Sequence, residues 1–144
     1  MTAHAPDAPL LAELIAWQAR MRPNAGAITF EGRTQTFAQL NANACRVAQG
    51  LLADGFSPDA RIATLTKNSD AFVELMLGAM KARAAFMPVN WRLAAPEVEY
   101  ILHHGQVEHL FVEPEFLPMA IALRAALSGP KQIVVVGEGD SAES

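Results

Sequence analysis

The stretch MPVNWRLAAPEVEYIL, Met87–Leu102, decides the fold, because it joins two periodicities through one crossing. The run Ala85–Val89 is continuously apolar and reads as a strand. Pro88 falls near its end, where a missing N–H matters least. Asn90, Trp91 and Arg92 then make the crossing. Pro96 suits the first turn of a helix, Glu97 and Glu99 complement its dipole, and Val98, Ile101 and Leu102 recur on one face. A buried-type strand leading into an amphipathic helix is the repeating unit of an α/β protein.

The same alternation extends to both sides. Upstream, Leu11, Leu14, Ile15 and Trp17 stand at helical spacing in a helix Leu10–Met21 that stops at Arg22-Pro23. The segment AITFEGRTQTF reads as a hairpin turning at Glu31-Gly32. Thr36 and Gln39 form a capping box that opens a long helix. Its face is Leu40, Ala44, Val47, Ala48, Leu51 and Leu52, and Asp54-Gly55 ends it. A strand ARIATLT follows, then a helix DAFVELMLGAMKA capped by Asn68 or Ser69. That helix is apolar nearly all round and is expected to be covered on more than one side. Downstream, a helix Pro96–His104, a strand His109–Glu113, a helix Leu117–Leu127 and a strand QIVVV complete the pattern. The expected fold class is α/β: a mostly parallel sheet with helices on both faces plus an N-terminal β-hairpin.

Composition bounds the function. The chain has 144 residues, 51% of them hydrophobic and 18% charged, enough to bury a core as one compact domain. A net charge of -4 with singly scattered arginines excludes a phosphate-backbone partner, so no nucleic acid is expected. No run approaches the roughly 20 apolar residues of a membrane span. Asp7 and Glu13 stand where a signal peptide would be basic, and the single cysteine, Cys45, fits a reducing compartment. The expected location is cytoplasmic.

Several residue groups invite a chemical role and each has a plainer reading. Thr66–Asp70, TKNSD, lies where a strand meets a helix N-terminus, a geometry able to hold an anion. It lacks glycine, so its backbone cannot wrap a phosphate, and ordinary capping accounts for it. Ser128–Gly137, SGPKQIVVVG, has the glycine, proline and lysine of a nucleotide loop but ends a helix and begins a strand, the reverse of the required order. Gly129 is read as the helix-terminating residue and Pro130 as the stop. His103, His104 and His109 have no Cys, Asp or Glu at ligand spacing, so no metal site is expected. Cys45 reads as a small buried thiol. Glu97 and Glu99, two apart, do not share a helix face and are no acid/base pair. The expected catalytic, cofactor-binding and metal residues of this segment are therefore none.

The words TFAQL at Thr36–Leu40, the strand exit Ala63–Asn68, and KARAAFMPVNWRL at Lys81–Leu93, in this order and spacing, resemble the adenylate-forming acyl-CoA synthetases, also called AMP-binding enzymes. The resemblance runs from about Leu10 to Gly137, and PVNWRLAAPEVEYIL is especially like bacterial medium- and long-chain acyl-CoA synthetases. One departure is Arg83, where the family usually has glycine. The resemblance implies the fold of the family's N-terminal subdomain and the N-terminal part of an AMP-binding synthetase/ligase domain at 10–137, while a flexible N-terminus is expected at 1–9 and the small, polar, acidic residues at 138–144 read as a flexible tail. It also implies a two-step reaction using ATP, Mg2+ and CoA, in which a carboxylic or fatty acid becomes an acyl-adenylate and then an acyl-CoA.

The family's phosphate loop, its Y-G-x-T-E and T-G-D words and its C-terminal lysine have no counterpart here, so the segment is expected to be inactive alone. A truncated product, an expressed fragment and a half that joins a separate remainder all remain open as origins. Expected partners are that remainder, or a second copy through uncovered apolar surface. The alternative reading is a non-catalytic interaction module on the same scaffold, and a flavodoxin-like nucleotide domain is a third. Neither acyl chain length nor the role of Trp91 and Arg92 is legible.

Overall fold

The computed structural model describes residues 10–128 and 132–137. The expected flexible ends at 1–9 and 138–144, and the reading of Gly129 and Pro130, lie outside the described residues. Four strands, β3 (Arg61–Leu65), β4 (Ala85–Pro88), β5 (His109–Val112) and β6 (Gln132–Val135), form a parallel sheet in the order β4-β3-β5-β6. An antiparallel hairpin, β1 (Gly26–Phe30) with β2 (Arg33–Thr36), precedes it. Helices α1 (Leu11–Met21), α2 (Phe37–Ala53), α3 (Asp70–Lys81), α4 (Ala95–His104) and α5 (Leu117–Ala122) complete the fold. This is the α/β class expected from the alternation.

Strand side chains alternate between two cores. Ile62 and Phe111 face α2 and α3, meeting Ala48, Leu51, Leu75 and Ala79. Ala63, Leu65, Leu110 and Val112 face the other way, onto Val98 and Leu102 of α4 and Ala120 of α5. Ile62, Leu65, Leu102 and Leu110 are fully buried, each contributing about 1.5–3 kcal/mol by leaving water. A third cluster, Leu40, Ala44 and Leu77 with Ile15 and Ile28, seats the hairpin and α1 on the outer side of α2 and α3. The apolar helix α3 is thus covered from more than one side, as its composition demands.

Local signals set the boundaries. Thr36 Oγ1 accepts from the Gln39 N–H at 3.2 Å while Gln39 Oε1 accepts from the Thr36 N–H at 2.9 Å. Of the two candidate caps of α3, Ser69 is the one used, its Oγ accepting from the Phe72 N–H at 3.1 Å. Glu31 and Gly32 both have positive φ, 48° and 76°, the primed-turn geometry whose twist suits a tight hairpin.

Three helices end in one motif. Beyond α2, Gly55 N–H donates to Leu52 O and Phe56 N–H to Leu51 O; beyond α3, Arg83 donates to Met80 and Ala84 to Ala79. Beyond α4, Gln106 donates to His103 and Val107 to Leu102. Each is a Schellman end, in which the turning residue must be left-handed. Gly55 does this at φ 81°, but Arg83 at 62° and Gln106 at 51° carry a Cβ there. The departure from the family's glycine at Arg83 is therefore a strained position.

Three readings need correction. Leu52 is exposed, because the buried face of α2 runs through Leu40, Ala44, Ala48 and Leu51. Cys45 is half-buried rather than buried. The expected helix Leu117–Leu127 is α-helical only to Ala122, flanked by 3-10 turns at Pro114–Phe116 and Arg124–Ala126. Its apolar spacing was real, since Phe116, Ala120, Leu123 and Ala126 are all buried, but burial spacing does not distinguish α from 3-10 hydrogen bonding.

Two substitutions check this. Arg83→Gly removes left-handed strain of roughly 1–2 kcal/mol and adds roughly 0.5–1 kcal/mol of chain entropy cost. A net gain of about 0.5–1 kcal/mol and a thermal midpoint higher by about 2–4 °C are expected in calorimetry; a lower midpoint would refute the strain. Gly78→Ala is expected to destabilise by roughly 1–3 kcal/mol in urea titration despite alanine's better helix propensity, because its Cβ would stand 2.5 Å from Val47 Cβ.

Candidate functional site

Parallel strands all exit at one edge of a sheet, and ligand clefts of open α/β sheets form there. Here the exits of β3 (Thr66–Asp70), β5 (Glu113–Glu115) and β6 (Val136-Gly137), with Phe30, Glu31 and Arg33 of the hairpin, line a cleft of about 740 Å³. Five carboxylates line it, Glu31, Asp70, Glu74, Glu113 and Glu115, against two cations, Arg33 and Lys67.

Both cations are paired. Lys67 Nζ lies 2.6 Å from Glu115 Oε1, and Arg33 Nη2 lies 3.4 Å from Asp70 Oδ2. The Lys67 backbone N–H donates to Glu113 Oε1 at 3.0 Å, tying the β3 exit to the β5 exit. Glu74 Oε1 accepts from Gln35 Nε2 at 2.7 Å and Asn43 Nδ2 at 2.9 Å, fastening the hairpin and α2 to α3. TKNSD thus lies on the cleft wall, where Ser69 caps α3 and Lys67 and Asp70 are paired. Thr66 differs: it is 7% exposed and its Oγ1 has no partner.

Beside the cleft, Trp91 lies under two cations. The Arg92 guanidinium is 4.3 Å from its ring centroid and Lys67 Nζ is 5.2 Å away, while the Phe116 ring is at 6.0 Å. Arg92 N–H also donates to Asn90 Oδ1 at 3.0 Å. Trp91 and Arg92 therefore brace the crossing after β4 against the exits of β3 and β5. No local word announces this cluster; only lining up the strand exits brings Lys67, Trp91 and Glu115 together.

The other sequence candidates lie elsewhere. Glu97 Oε2 accepts from the Ala94 N–H at 2.8 Å as a helix cap, and Glu97 and Glu99 are exposed. His103 and His104 are exposed on α4, where His104 stacks on Tyr100 at 5.4 Å. His109 begins β5 at the opposite edge of the sheet from the cleft. Ser128 and Gln132 flank the entry to β6, at that same opposite edge, and Gly129–Lys131 of SGPK lie outside the described residues. Among the described residues, no group of three or more His, Cys, Asp or Glu side chains converges as metal ligands, and no helix is long and apolar enough to cross a membrane.

An open parallel sheet with a cleft at its strand exits defines an α/β ligand-site scaffold. The chain belongs to the AMP-binding enzyme family, whose model matches residues 15–144. It is 38% identical over 139 residues to the fatty acid–[acyl-carrier-protein] ligase ScoC of Streptomyces coeruleorubidus, covering 96% of this chain and 26% of ScoC. It is 36% identical over 126 residues to a feruloyl-CoA synthase of Amycolatopsis, covering 88% of this chain and 25% of that enzyme. Among solved structures, a Mycobacterium tuberculosis fatty acyl CoA synthetase superposes with a TM-score of 0.78 at 32% identity, covering 87% of this chain and 26% of that one. The chain spans about a quarter of the length of these relatives.

His109 supplies a pH test of the scaffold. It is 4% exposed, its ring lies 3.8 Å from that of Phe56, and its Nδ1 has no partner. Burial lowers its pKa below the ordinary value of 6.5, against opposing contributions from the Glu108 carboxylate and a Gln132 hydrogen bond. A histidine depressed in the folded state contributes stability that is full above the unfolded pKa of about 6.5 and is lost as pH falls through the folded value. The urea midpoint is expected to drop more steeply below about pH 6.5 in the native chain than in His109→Leu. Equal pH slopes would refute it.

Proposed function

We propose that this chain is the structural N-terminal segment of an ATP-dependent acyl-CoA synthetase acting on fatty or related carboxylic acids, and that it is inactive alone. The observation that carries the reading is the cleft: both lining cations are neutralised by carboxylates on the cleft wall. A polyphosphate approaching that wall would meet net negative charge, with only the α3 N-terminus to attract it. The segment thus shapes one edge of a site and leaves the charge-compensating groups to the rest of an enzyme.

In the complete enzyme a carboxylate oxygen attacks the α-phosphorus of ATP, the bond to pyrophosphate breaks, and a thiol then displaces AMP from the acyl group. Mg2+ would neutralise phosphate charge in that reaction. The segment itself holds neither ATP, Mg2+ nor CoA. The names of the relatives support an acid of fatty or aryl type, with coenzyme A as thiol in feruloyl-CoA synthase and a carrier protein in ScoC. The partner is the remainder of the synthetase, and the location is the cytoplasm.

The test is incubation of the purified chain with ATP, Mg2+, CoA and a panel of fatty and aryl acids. AMP release is expected to stay at the level of a no-acid control. Acid-dependent AMP formation would sink the reading.

A further inference from the structure

The cleft at the strand exits is walled by carboxylates, and a second hollow has the opposite chemistry. It is a groove of about 510 Å³ between β2 and α2. Gln39, Asn43 and Arg46, four and three residues apart, share one face of α2 and line it. Ala38 and Ala42, one turn apart, leave room beside them, and Thr34 and Gln35 form the opposite wall. Among the described residues no carboxylate lines the groove.

Most of its polar atoms are already bonded. Gln35 Oε1 accepts from Asn43 Nδ2 at 3.3 Å, Gln39 Oε1 from the Thr36 N–H at 2.9 Å, and Asn43 Oδ1 from Arg46 Nη1. Gln35 Nε2 and Asn43 Nδ2 both donate to Glu74 Oε1, at 2.7 and 2.9 Å. Thr34 Oγ1 is bonded to Thr29 Oγ1 at 2.8 Å. The first-turn N–H groups of α2 are engaged too, Phe37 with Ala25 O, Ala38 with Pro23 O and Gln39 with Thr36 Oγ1. What stays free is Gln39 Nε2 and the other N–H groups of Arg46, and these are donors only.

The cation among them is uncompensated and held in place. Arg46 has no carboxylate partner among the described residues, and Asn43, itself bonded to Glu74, orients its guanidinium. Gln39 and Arg46 are both exposed, so a ligand reaches them without opening the fold. Free donors around one unpaired guanidinium suit an oxyanion, which its fork can grip through two oxygens. A phosphate carries more oxygens and more charge than a carboxylate, so it uses more of these donors.

We propose that this groove binds a phosphate group, free or as a monoester, gripped by the Arg46 fork and by Gln39 Nε2. The site stands apart from the proposed function, which gives none of these residues a part in acyl transfer.

The experiment is NMR of the purified chain, following the Arg46 Nε–H and Gln39 side-chain amide signals during titration with inorganic phosphate at fixed ionic strength. Saturation at one phosphate per chain is expected, with a Kd of about 1 mM. Arg46→Lys keeps the charge but loses the fork and should weaken binding roughly tenfold. Gln39→Glu can still accept from the Thr36 N–H, so the capping box and the thermal midpoint are kept, but its donor becomes a carboxylate and saturation should vanish. Methyl phosphate separates the sources: equal affinity supports a monoester as the ligand, and a tenfold loss supports free phosphate.

Signals that drift linearly with phosphate would overturn the proposal, as would saturation unchanged in Arg46→Lys and Gln39→Glu. Equal affinity for acetate, or saturation seen only at Ser69 and Asp70, would overturn it too.

Discussion

The closeness of α2 to α3 at Gly78 is the constraint on which the other contacts rest. A Cβ built on Gly78 would stand 2.5 Å from Val47 Cβ and 3.0 Å from Ala44 O, so the helices meet nearly backbone to side chain. Glycine inside a helix costs about 1 kcal/mol relative to alanine. That cost is offset because α3 can then pack on the sheet through Leu75 and Ala79 while Leu77 meets Leu40 and Ala44. The hairpin is seated on this pair, and its Gln35 and Arg33 reach Glu74 and Asp70 of α3. Moving α2 outward would carry Phe30, Glu31 and Arg33 away from the strand exits, so the cleft has its shape because residue 78 has no side chain.

Most of the scaffold was legible because its signals are local. Thr36 with Gln39, Ser69 with Phe72 and Ala94 with Glu97 are bonds between residues three apart, and such pairs are written directly into a sequence. The buried strands were legible as apolar runs, and the parallel order follows from their alternation with helices. What failed was finer. Leu52 belongs by spacing to the apolar stripe of α2 yet lies beyond the edge of what α3 and the sheet cover. The left-handed turn after α4 falls on Gln106, where no glycine marks it in the sequence. Gly105 is short of space, since a Cβ there would stand 2.9 Å from the Ile101 carbonyl oxygen.

The cleft was legible only in part, for a different reason. TKNSD was recognisable as a helix entry, and its capping role is visible in Ser69. The partners that neutralise its wall come from other strand exits: Glu113 and Glu115 from β5, and Arg33 from the hairpin. These pairings depend on strand order, which no local spacing encodes. Trp91 is the same case. Beside Arg92 in sequence it looks like a candidate contact, and only the placement of Lys67 and Phe116 around it shows a brace between three crossings.

Pro88 shows how one residue can be read correctly and still incompletely. Its position near a strand end explains why the sheet tolerates it, since its register partner Thr64 loses no donor from that side. Orientation adds what position alone does not contain: the absent N–H points away from the sheet, at the edge where another strand would have to bond. The β4 edge therefore lacks one outward donor, while β6, with Ile133 and Val135 turned outward, keeps both of its own.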